Sequence, residues 1–288
     1  MEIKLTDIEF VANEEIKNLS SIKNTGTIYG VYYPKGEQEL LFIYNFLSIN
    51  NIKFIVVGKG TNILFSSQIN NFFVISLKKM PKKVKKYKNH LIVASSLSIA
   101  EAFQYCYKNN LSCFEKLSTV PGSIGGAIML NAGCFGADIF DNLVSVKILQ
   151  DGKIKNIKKD KITYEYRKTN LRGLILSATF LVTKKNRFDL IKTASNCINE
   201  RIAKQPKGYS LGSIFKNPTG FSAGELIDKC GLKGTQKNDA KISEKHANFI
   251  INEGNASYDD IKYLIDLAHE KVKEKFGIDL ELEIKIYP

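Results

Sequence analysis

Five glycines crowd one short apolar stretch, Val120-Pro121-Gly122-Ser123-Ile124-Gly125-Gly126-Ala127-Ile128-Met129-Leu130-Asn131-Ala132-Gly133-Cys134-Phe135-Gly136. Glycine is costly in regular structure, so such a cluster implies unusual backbone angles or close approach of the backbone to something else. Pro121 fixes its own φ and pushes Val120 extended, so a turn begins there. Ala127-Ile128-Met129-Leu130 can then form a short helix. Backbone N–H groups of a glycine turn at a helix start suit a phosphate. A buried glycine turn without a ligand accounts for the same residues, and the stretch alone leaves both readings open.

A second glycine turn follows a compact apolar run. Ile52–Val57 reads as a buried strand and leads into Gly58-Lys59-Gly60-Thr61-Asn62-Ile63-Leu64-Phe65. A dinucleotide fingerprint requires a third glycine at Ile63 and a helix afterwards. A short apolar run follows instead, which excludes a Rossmann unit. Thr61 and Asn62 add hydrogen-bonding groups, so the turn is either a second phosphate or cofactor loop or a plain strand-to-strand connection.

Around these loops the coarse pattern alternates strands and helices. A short helix is expected around Asn13–Leu19, a strand over Ile28–Tyr33 and a helix over Glu37–Asn50. Phe72–Leu77 and Leu91–Ser95 read as strands around a lysine-rich hairpin. Ser98-Ile99-Ala100-Glu101 is a capping box opening a helix. Asp151-Gly152 between Val144–Leu149 and Lys153–Ile157 marks a hairpin, and Leu174–Val182 another strand. Phe188–Lys204 is helix-like. Ser222-Ala223-Gly224-Glu225 is a further capping box, and Gly231 caps the end of that helix. Ser257 starts a last helix with Ile261, Leu264, Ile265, Ala268, Val272 and Phe276 on one face, ended by Gly277. Asp279–Tyr287 alternates as a strand.

Composition narrows the function classes. The formal net charge is +13, yet the only arginines are Arg167, Arg172, Arg187 and Arg201. Recognition of a nucleic-acid duplex calls for arginine and a docking motif, and neither is present. Lysine enrichment through general composition, or attraction of a multiply anionic substrate, explains the charge instead. The five cysteines include no Cys-x-x-Cys pair, and the three histidines lie far apart, so neither a disulfide framework nor a metal site is indicated. Met1–Asp7 lacks an apolar signal core, and no apolar run approaches membrane-spanning length. A cytoplasmic protein with no membrane span and no nucleic-acid partner is expected. Oligomeric state is not written in the sequence, with a monomer the working expectation.

Five segments in register resemble the UDP-N-acetylenolpyruvoylglucosamine reductases. Gly58-x-Gly60-Thr61-Asn62-Ile63-Leu64 is similar to that family's first flavin loop. Pro121-Gly122-Ser123-Ile124-Gly125-Gly126-Ala127, with Asn131-Ala132-Gly133-x-x-Gly136, is similar to its pyrophosphate-binding stretch. Gly212-Ser213-Ile214-Phe215-Lys216-Asn217-Pro218 resembles the active-site serine segment. Ser243-x-x-His246-Ala247-Asn248-Phe249 and Phe276-Gly277-Ile278-x-Leu280-x-x-Glu283 resemble the C-terminal region. No single motif is decisive; their order makes the resemblance specific.

The resemblance implies an α+β protein: a vanillyl-alcohol-oxidase-type (PCMH) FAD-binding domain of two α+β subdomains, then an α+β substrate domain. The expected division is an N-terminal segment 1–20, an FAD-binding domain 21–187 and a substrate-binding domain 188–288. The implied cofactor is FAD, reduced by NADPH, and the implied substrate is UDP-N-acetylglucosamine enolpyruvate, reduced to UDP-N-acetylmuramate in peptidoglycan precursor synthesis. Implied cofactor contacts are Gly58, Gly60, Thr61, Asn62, Pro121, Gly122, Ser123, Gly125, Gly126, Asn131 and Gly133. By the same resemblance Ser213 is the proton donor, Arg167 holds the carboxylate or enolate, and Glu283 works beside it. Tyr166, Lys216 and Asn217 are implied substrate contacts. Locally, Glu281, Glu283 and Lys285 read equally as a solvated strand face.

The chain departs from the family pattern at two places. Ser21-Ile22-Lys23-Asn24-Thr25-Gly26 stands where Thr-x-Arg-(Ile/Val)-Gly-Gly is usual, and Gln236-Lys237-Asn238-Asp239-Ala240 where Arg-x-Gly-Gly-Ala is usual. The short run from Arg167 to Ser213 resembles the family's second form, without an inserted tyrosine-bearing loop. Rival readings are another PCMH-type FAD oxidoreductase with a different substrate, a degenerate non-catalytic homologue, and a basic nucleic-acid-binding protein.

Overall fold

Local signals set the helices of the protein, whose computed structural model describes residues 3–69 and 71–287. Helix α1 spans Glu37–Ile49 and buries Leu40, Ile43 and Leu47. Helix α2, Ile99–Lys108, opens with the expected capping box: Ser98 accepts from the Glu101 N–H, and Glu101 accepts from the Ser98 N–H. Helix α3 is the short segment Ile124–Met129 inside the glycine stretch. Helix α4 covers Arg187–Lys204. Helix α5 is Ala223–Lys229, and α6 is Tyr258–Phe276, with a Ser257–Asp260 capping box and Gly277 at φ 68° beyond its end.

Two compact units divide the described chain, and neither is contiguous in sequence. The first contains the chain up to Phe10, Tyr32–Lys59 and Val74–Arg201; the second contains Val11–Val31, Gly60–Phe73 and the chain from Ile202. Compactness thus cuts the chain differently from the linear division expected at residues 20 and 187. Four of the five changes of unit fall inside the strands Glu9–Glu15, Thr27–Tyr33 and Phe73–Ser76 and inside α4, and the fifth falls between Lys59 and Gly60 in the glycine turn.

In the first unit a five-stranded antiparallel sheet runs Lys153–Lys158, Leu143–Gln150, Leu174–Leu181, His90–Ala94, Val84–Tyr87. Its core includes Val93, Val146, Ile148, Ala178 and Phe180, closed by Ile99, Ala102 and Cys106 of α2 and by Ile124 and Ile128 of α3. The Asp151-Gly152 turn has both residues at positive φ, which matches the strand twist of a two-residue hairpin. The outer strands carry Lys85 and Lys86 at one edge and Lys153, Lys155 and Lys158 at the other. Lysines on edge strands oppose pairing with a further strand, a structural use for part of the positive charge.

The second unit packs α5 and α6 on the sheet Gln236–Lys237, Ala240–Ile242, Ile250–Asn252. Ile261, Leu264, Ile265, Ala268 and Val272 of α6 are buried, as the helical period predicted. A parallel strand pair, Lys285–Tyr287 with Ile63–Phe65, joins the last described residues to the segment that follows the Gly58–Asn62 turn.

Three local expectations are corrected. Residues 13–19 are not a helix: Glu9–Glu15 is a strand, Asn13 has φ 52°, and only Ile16–Asn18 forms a single 3-10 turn. Ile16 is fully buried, so tertiary burial rather than helix propensity decides this segment. The lysine-rich hairpin pairs Val84–Tyr87 with His90–Ala94, while Phe73–Ser76 belongs to a different sheet. Residues 279–287 are not one strand: Leu282 bridges to Phe215, and only Lys285–Tyr287 forms a regular strand.

The α2 cap tests this account. Burial alone would raise the Glu101 pKa, but bonds from the Lys82 ammonium and from the Ser98 hydroxyl and N–H bring it down to about 2. A folded pKa below the ordinary 4.5 gives stability that is present above that pH and is lost as pH falls toward 2. Ser98→Ala should lower unfolding free energy by about 1 kcal/mol at pH 7 and flatten the acid limb below pH 4.5, read by thermal denaturation against pH.

Candidate functional site

The glycine stretch of the first unit is a turn locked against the sheet. Ser123 caps α3 by accepting from the Gly126 N–H at 3.3 Å. The Ile124 N–H donates to the Leu97 carbonyl at 2.8 Å and the Gly125 N–H to the Ser95 carbonyl at 2.9 Å. The first three N–H groups of α3 are therefore committed within the protein, which corrects the idea that the helix start itself offers them to a phosphate. Among the described residues, the N–H groups of Gly122 and Ser123 donate to no protein carbonyl, so the donors precede the helix. Gly125 is buried, and a Cβ there would stand 2.9 Å from the Ser95 Cβ, so the position takes glycine. A Cβ on Gly58 would stand 2.3 Å from Ser123 Oγ, so the two glycine loops meet where only hydrogen fits.

The same stretch anchors Arg167. Tyr164–Glu165 and Lys168–Thr169 form a small hairpin with Tyr166 and Arg167 at its tip, and Arg167 takes φ 56°. A left-handed non-glycine residue costs of order 1 kcal/mol and persists only when its surroundings hold it. Here the guanidinium donates to the Asn131 carbonyl at 3.3 Å and the Gly133 carbonyl at 2.7 Å, and lies 4.8 Å from the centre of the Tyr166 ring. Asn131 returns the contact, its side-chain amide donating to the Glu165 carbonyl at 3.0 Å, and Thr169 Oγ1 donates to the Met129 carbonyl. Gly133 starts a tight hairpin turned by Phe135 and Gly136, both at positive φ, and a Cβ there would strike Asp138. Asn131 and Gly133, expected at the cofactor, thus also hold the arginine.

In the second unit Ser213 lies beside the chain segment that carries Glu283. The Glu283 N–H donates to the Ile214 carbonyl at 2.8 Å, and the Lys216 N–H donates to the Glu281 carbonyl at 2.8 Å, flanking the Phe215–Leu282 bridge. Ile214 and Phe215 are buried while Ser213 is half-buried. Glu281 is the solvated carboxylate, paired with Lys216 Nζ at 2.5 Å; Glu283 is half-buried, so the two do not share one solvated face. Asn62, expected at the cofactor, donates through its side-chain amide to the Glu283 carbonyl at 2.9 Å, and its own carbonyl accepts from the Lys285 N–H at 3.0 Å. Gly60 takes φ 63° where a Cβ would strike the Leu19 carbonyl. Asn217 is exposed, and its side-chain carbonyl accepts from the first N–H of α5 at 3.0 Å.

The two departures from the family pattern are filled. Ile22 is core, Lys23 takes φ 54° with its ammonium 4.0 Å from the centre of the Tyr209 ring, and Asn24 donates to the Phe65 carbonyl at 2.9 Å. Asn252 holds the Ile22 and Lys23 carbonyls from across the sequence, at 2.8 and 3.1 Å. In the other segment Asn238 takes φ 46°, keeping the turn between its two strands, and its amide donates to Asp260 at 2.6 Å. Sequence reasoning missed the roles of Asn62 and Asn252; their one signal is an amide beside an apolar run.

A part built on two glycine loops, followed by an α+β part that carries a serine and a glutamate on neighbouring segments, is an α+β architecture whose first part is that of an FAD-binding flavoprotein. The FAD binding domain family matches residues 29–158, and the UDP-N-acetylenolpyruvoylglucosamine reductase C-terminal domain family matches residues 204–287. The chain is 37% identical to the UDP-N-acetylenolpyruvoylglucosamine reductase of Fusobacterium nucleatum over 97% of its own length and 99% of that protein's. It is 34% identical to that of Chloroherpeton thalassium, over 99% and 97%. The crystal structure of the Thermus caldophilus UDP-N-acetylenolpyruvylglucosamine reductase superposes with a TM-score of 0.83 at 28% identity, covering 98% of this chain and 99% of that one. The chain belongs to the UDP-N-acetylenolpyruvoylglucosamine reductase family.

The first unit fits a flavin dinucleotide. Gly58 leaves backbone where a side chain would intrude on Ser123, Gly122 takes φ 134°, and the Gly122 and Ser123 N–H groups can bind anionic oxygens. Gly58→Ala should therefore purify with a much lower ratio of flavin to protein absorbance than the parent, while its circular dichroism is retained. A second measurement concerns His246, whose Nδ1 accepts from the Asn248 N–H at 3.3 Å and whose burial lowers its pKa. A half-buried imidazole whose pKa is lowered contributes stability above about pH 6.5 that is lost as pH falls. The parent should lose more thermal stability than His246→Gln between pH 7 and pH 5.

Proposed function

We propose that this chain reduces the enolpyruvyl double bond of UDP-N-acetylglucosamine enolpyruvate to give UDP-N-acetylmuramate, a step of peptidoglycan precursor synthesis. FAD, when bound, supplies the hydride, and NADPH is the source from which it is replenished. Hydride arriving at one carbon of the enolpyruvyl ether leaves carbanion character on its neighbour, delocalised into the carboxylate. The protein must then stabilise that charge and deliver one proton.

Ser213 is the proton donor in this reading. A hydroxyl both donates and accepts, so it can pass a proton on and be reprotonated. Arg167 holds the carboxylate: guanidinium remains charged and binds carboxylate oxygens in a fork. Its anchoring to the Asn131 and Gly133 carbonyls orients it before substrate arrives. Glu283 works on the developing enolate, from a half-buried position fixed by its backbone bond to Ile214. Lys216 meets the substrate's anionic groups in place of Glu281, Tyr166 lines the sugar nucleotide, and Asn217 contributes its amide nitrogen. The observation that carries the proposal is the backbone pairing of Ile214 with Glu283 and of Lys216 with Glu281, which sets an acid and a carboxylate on adjacent segments.

Among the described residues no helix is long and apolar enough to cross a membrane. We assign the enzyme to the cytoplasm, where NADPH and a nucleotide-sugar substrate are available. Ser213→Ala provides the test. Anaerobic flavin reduction by NADPH should stay within a few-fold of the parent, while reoxidation by the enolpyruvyl substrate falls by roughly 10²–10⁴-fold, about 3–5 kcal/mol. Equal loss in both half-reactions would remove Ser213 from the chemistry.

A further inference from the structure

The segment that carries Ser213 has Glu283 and Leu282 on one side and Asn248 on the other. Asn248, 2% exposed, faces Phe215 with both ends of its amide: Oδ1 accepts from the Phe215 N–H at 2.9 Å, and Nδ2 donates to the Phe215 carbonyl at 2.8 Å. Its own backbone carbonyl accepts from the Ile214 N–H at 2.9 Å. A carboxamide has the same donor and acceptor pair as a peptide group, so Asn248 stands in for one residue of a neighbouring strand. The Ile214–Phe215 and Phe215–Lys216 peptides are thereby held from both sides, by the Asn248 amide on one and by the Glu283 N–H and the Glu281 carbonyl on the other, and the Ile214 N–H ties the Ser213 peptide to the same Asn248. The amide's orientation is set by its partners, because Phe215 presents one N–H and one carbonyl and each takes the complementary end. Asn248 is held in turn by its own N–H, which donates to His246 Nδ1 at 3.3 Å, while a Cβ on Gly224 would stand 2.9 Å from His246 Cε1. His246 is therefore wedged, and the Asn248 backbone with it.

We propose that Asn248 is a positioning residue for proton delivery, fixing the Ser213 hydroxyl by strand mimicry without touching the substrate. The inference rests on the reading of Ser213 as proton donor. An apolar residue in its place would leave a buried N–H and a buried carbonyl unmatched, and the segment would move to find partners. Proton transfer is sensitive to small displacements of the donor, so the loss falls on turnover rather than on substrate affinity.

Asn248→Asp and Asn248→Ala, purified with their flavin, would be compared with the parent and with Ser213→Ala in the two anaerobic half-reactions. Flavin reduction by NADPH is expected within twofold of the parent, and reoxidation by the enolpyruvyl substrate at least tenfold slower, with its KM changed less than threefold. Asn248→Asp carries its own internal check. Protonated, the carboxyl can still donate to the Phe215 carbonyl; ionised, it cannot. Its reoxidation rate should recover as pH is lowered, which that of Asn248→Ala should not. Combining Asn248→Asp with Ser213→Ala should add no further slowing, since both act through one hydroxyl. Multiplicative losses, equal losses in both half-reactions, or full-speed reoxidation would each overturn the proposal, as would loss of flavin and of cooperative unfolding in both variants. A slow Ser213→Ala beside a full-speed Asn248→Asp defeats the positioning role alone; a full-speed Ser213→Ala defeats the proton-donor reading and this inference with it.

Discussion

The hydrogen bond from the Glu283 N–H to the Ile214 carbonyl is the contact from which the chemistry of the second unit is built outward. It joins two segments far apart in sequence, and each is backed by an asparagine. Asn248 pairs with Phe215 on one side, and Asn62 donates to the Glu283 carbonyl on the other. Short chain segments with few neighbours lack the ladder that rigidifies a sheet. Carboxamide side chains supply the missing donors and acceptors and commit no further backbone to the task. A serine and a carboxylate are then held by bonds that are individually modest but mutually dependent.

The first unit solves a related problem with backbone alone. Its two glycine loops require close approach of backbone, and the glycines at 58 and 125 permit it against Ser123 and Ser95. The same stretch has a second duty, because its Asn131 and Gly133 carbonyls hold the Arg167 guanidinium. The glycine stretch and the Arg167 hairpin are thus one mechanical element. Arg167 sits at a left-handed hairpin tip that unassisted arginine would avoid, and its two carbonyl contacts offset that cost.

Much of this was legible in the chain itself where the signal is short-range. The Ser98–Glu101 box, the Ser257 cap, the Asp151-Gly152 turn and the Gly277 cap each involve residues within four positions of one another, and each formed as read; at Ser257 the structure adds Asp260 to complete a box. The Ser222 cap formed too, with its hydroxyl accepting from the Glu225 N–H. The strand at Glu9–Glu15 was not legible, because its residues lack a clear period and a tertiary partner decides its shape. Nor was the change of partner within 279–287: alternation names a strand but not what it pairs with. Asn252 illustrates the limit, for the carbonyl it holds at Ile22 lies 230 residues away.

The sequence by itself determined which chemical groups are available: two glycine loops, a scarce arginine, a serine after a glycine, and a glutamate in a terminal alternating run. It also determined the family, because five short motifs in one order are hard to assemble by chance. Tertiary structure alone decided how those groups are held. It committed the α3 N–H groups to Leu97, Ser95 and Ser123, leaving the ligand the donors that precede the helix. It made Glu283 half-buried and left Glu281 in solvent, though both alternate on the same run. The physical reason is that hydrogen-bond saturation and burial are settled by partners distant in sequence, and no local pattern of residues encodes which partner arrives.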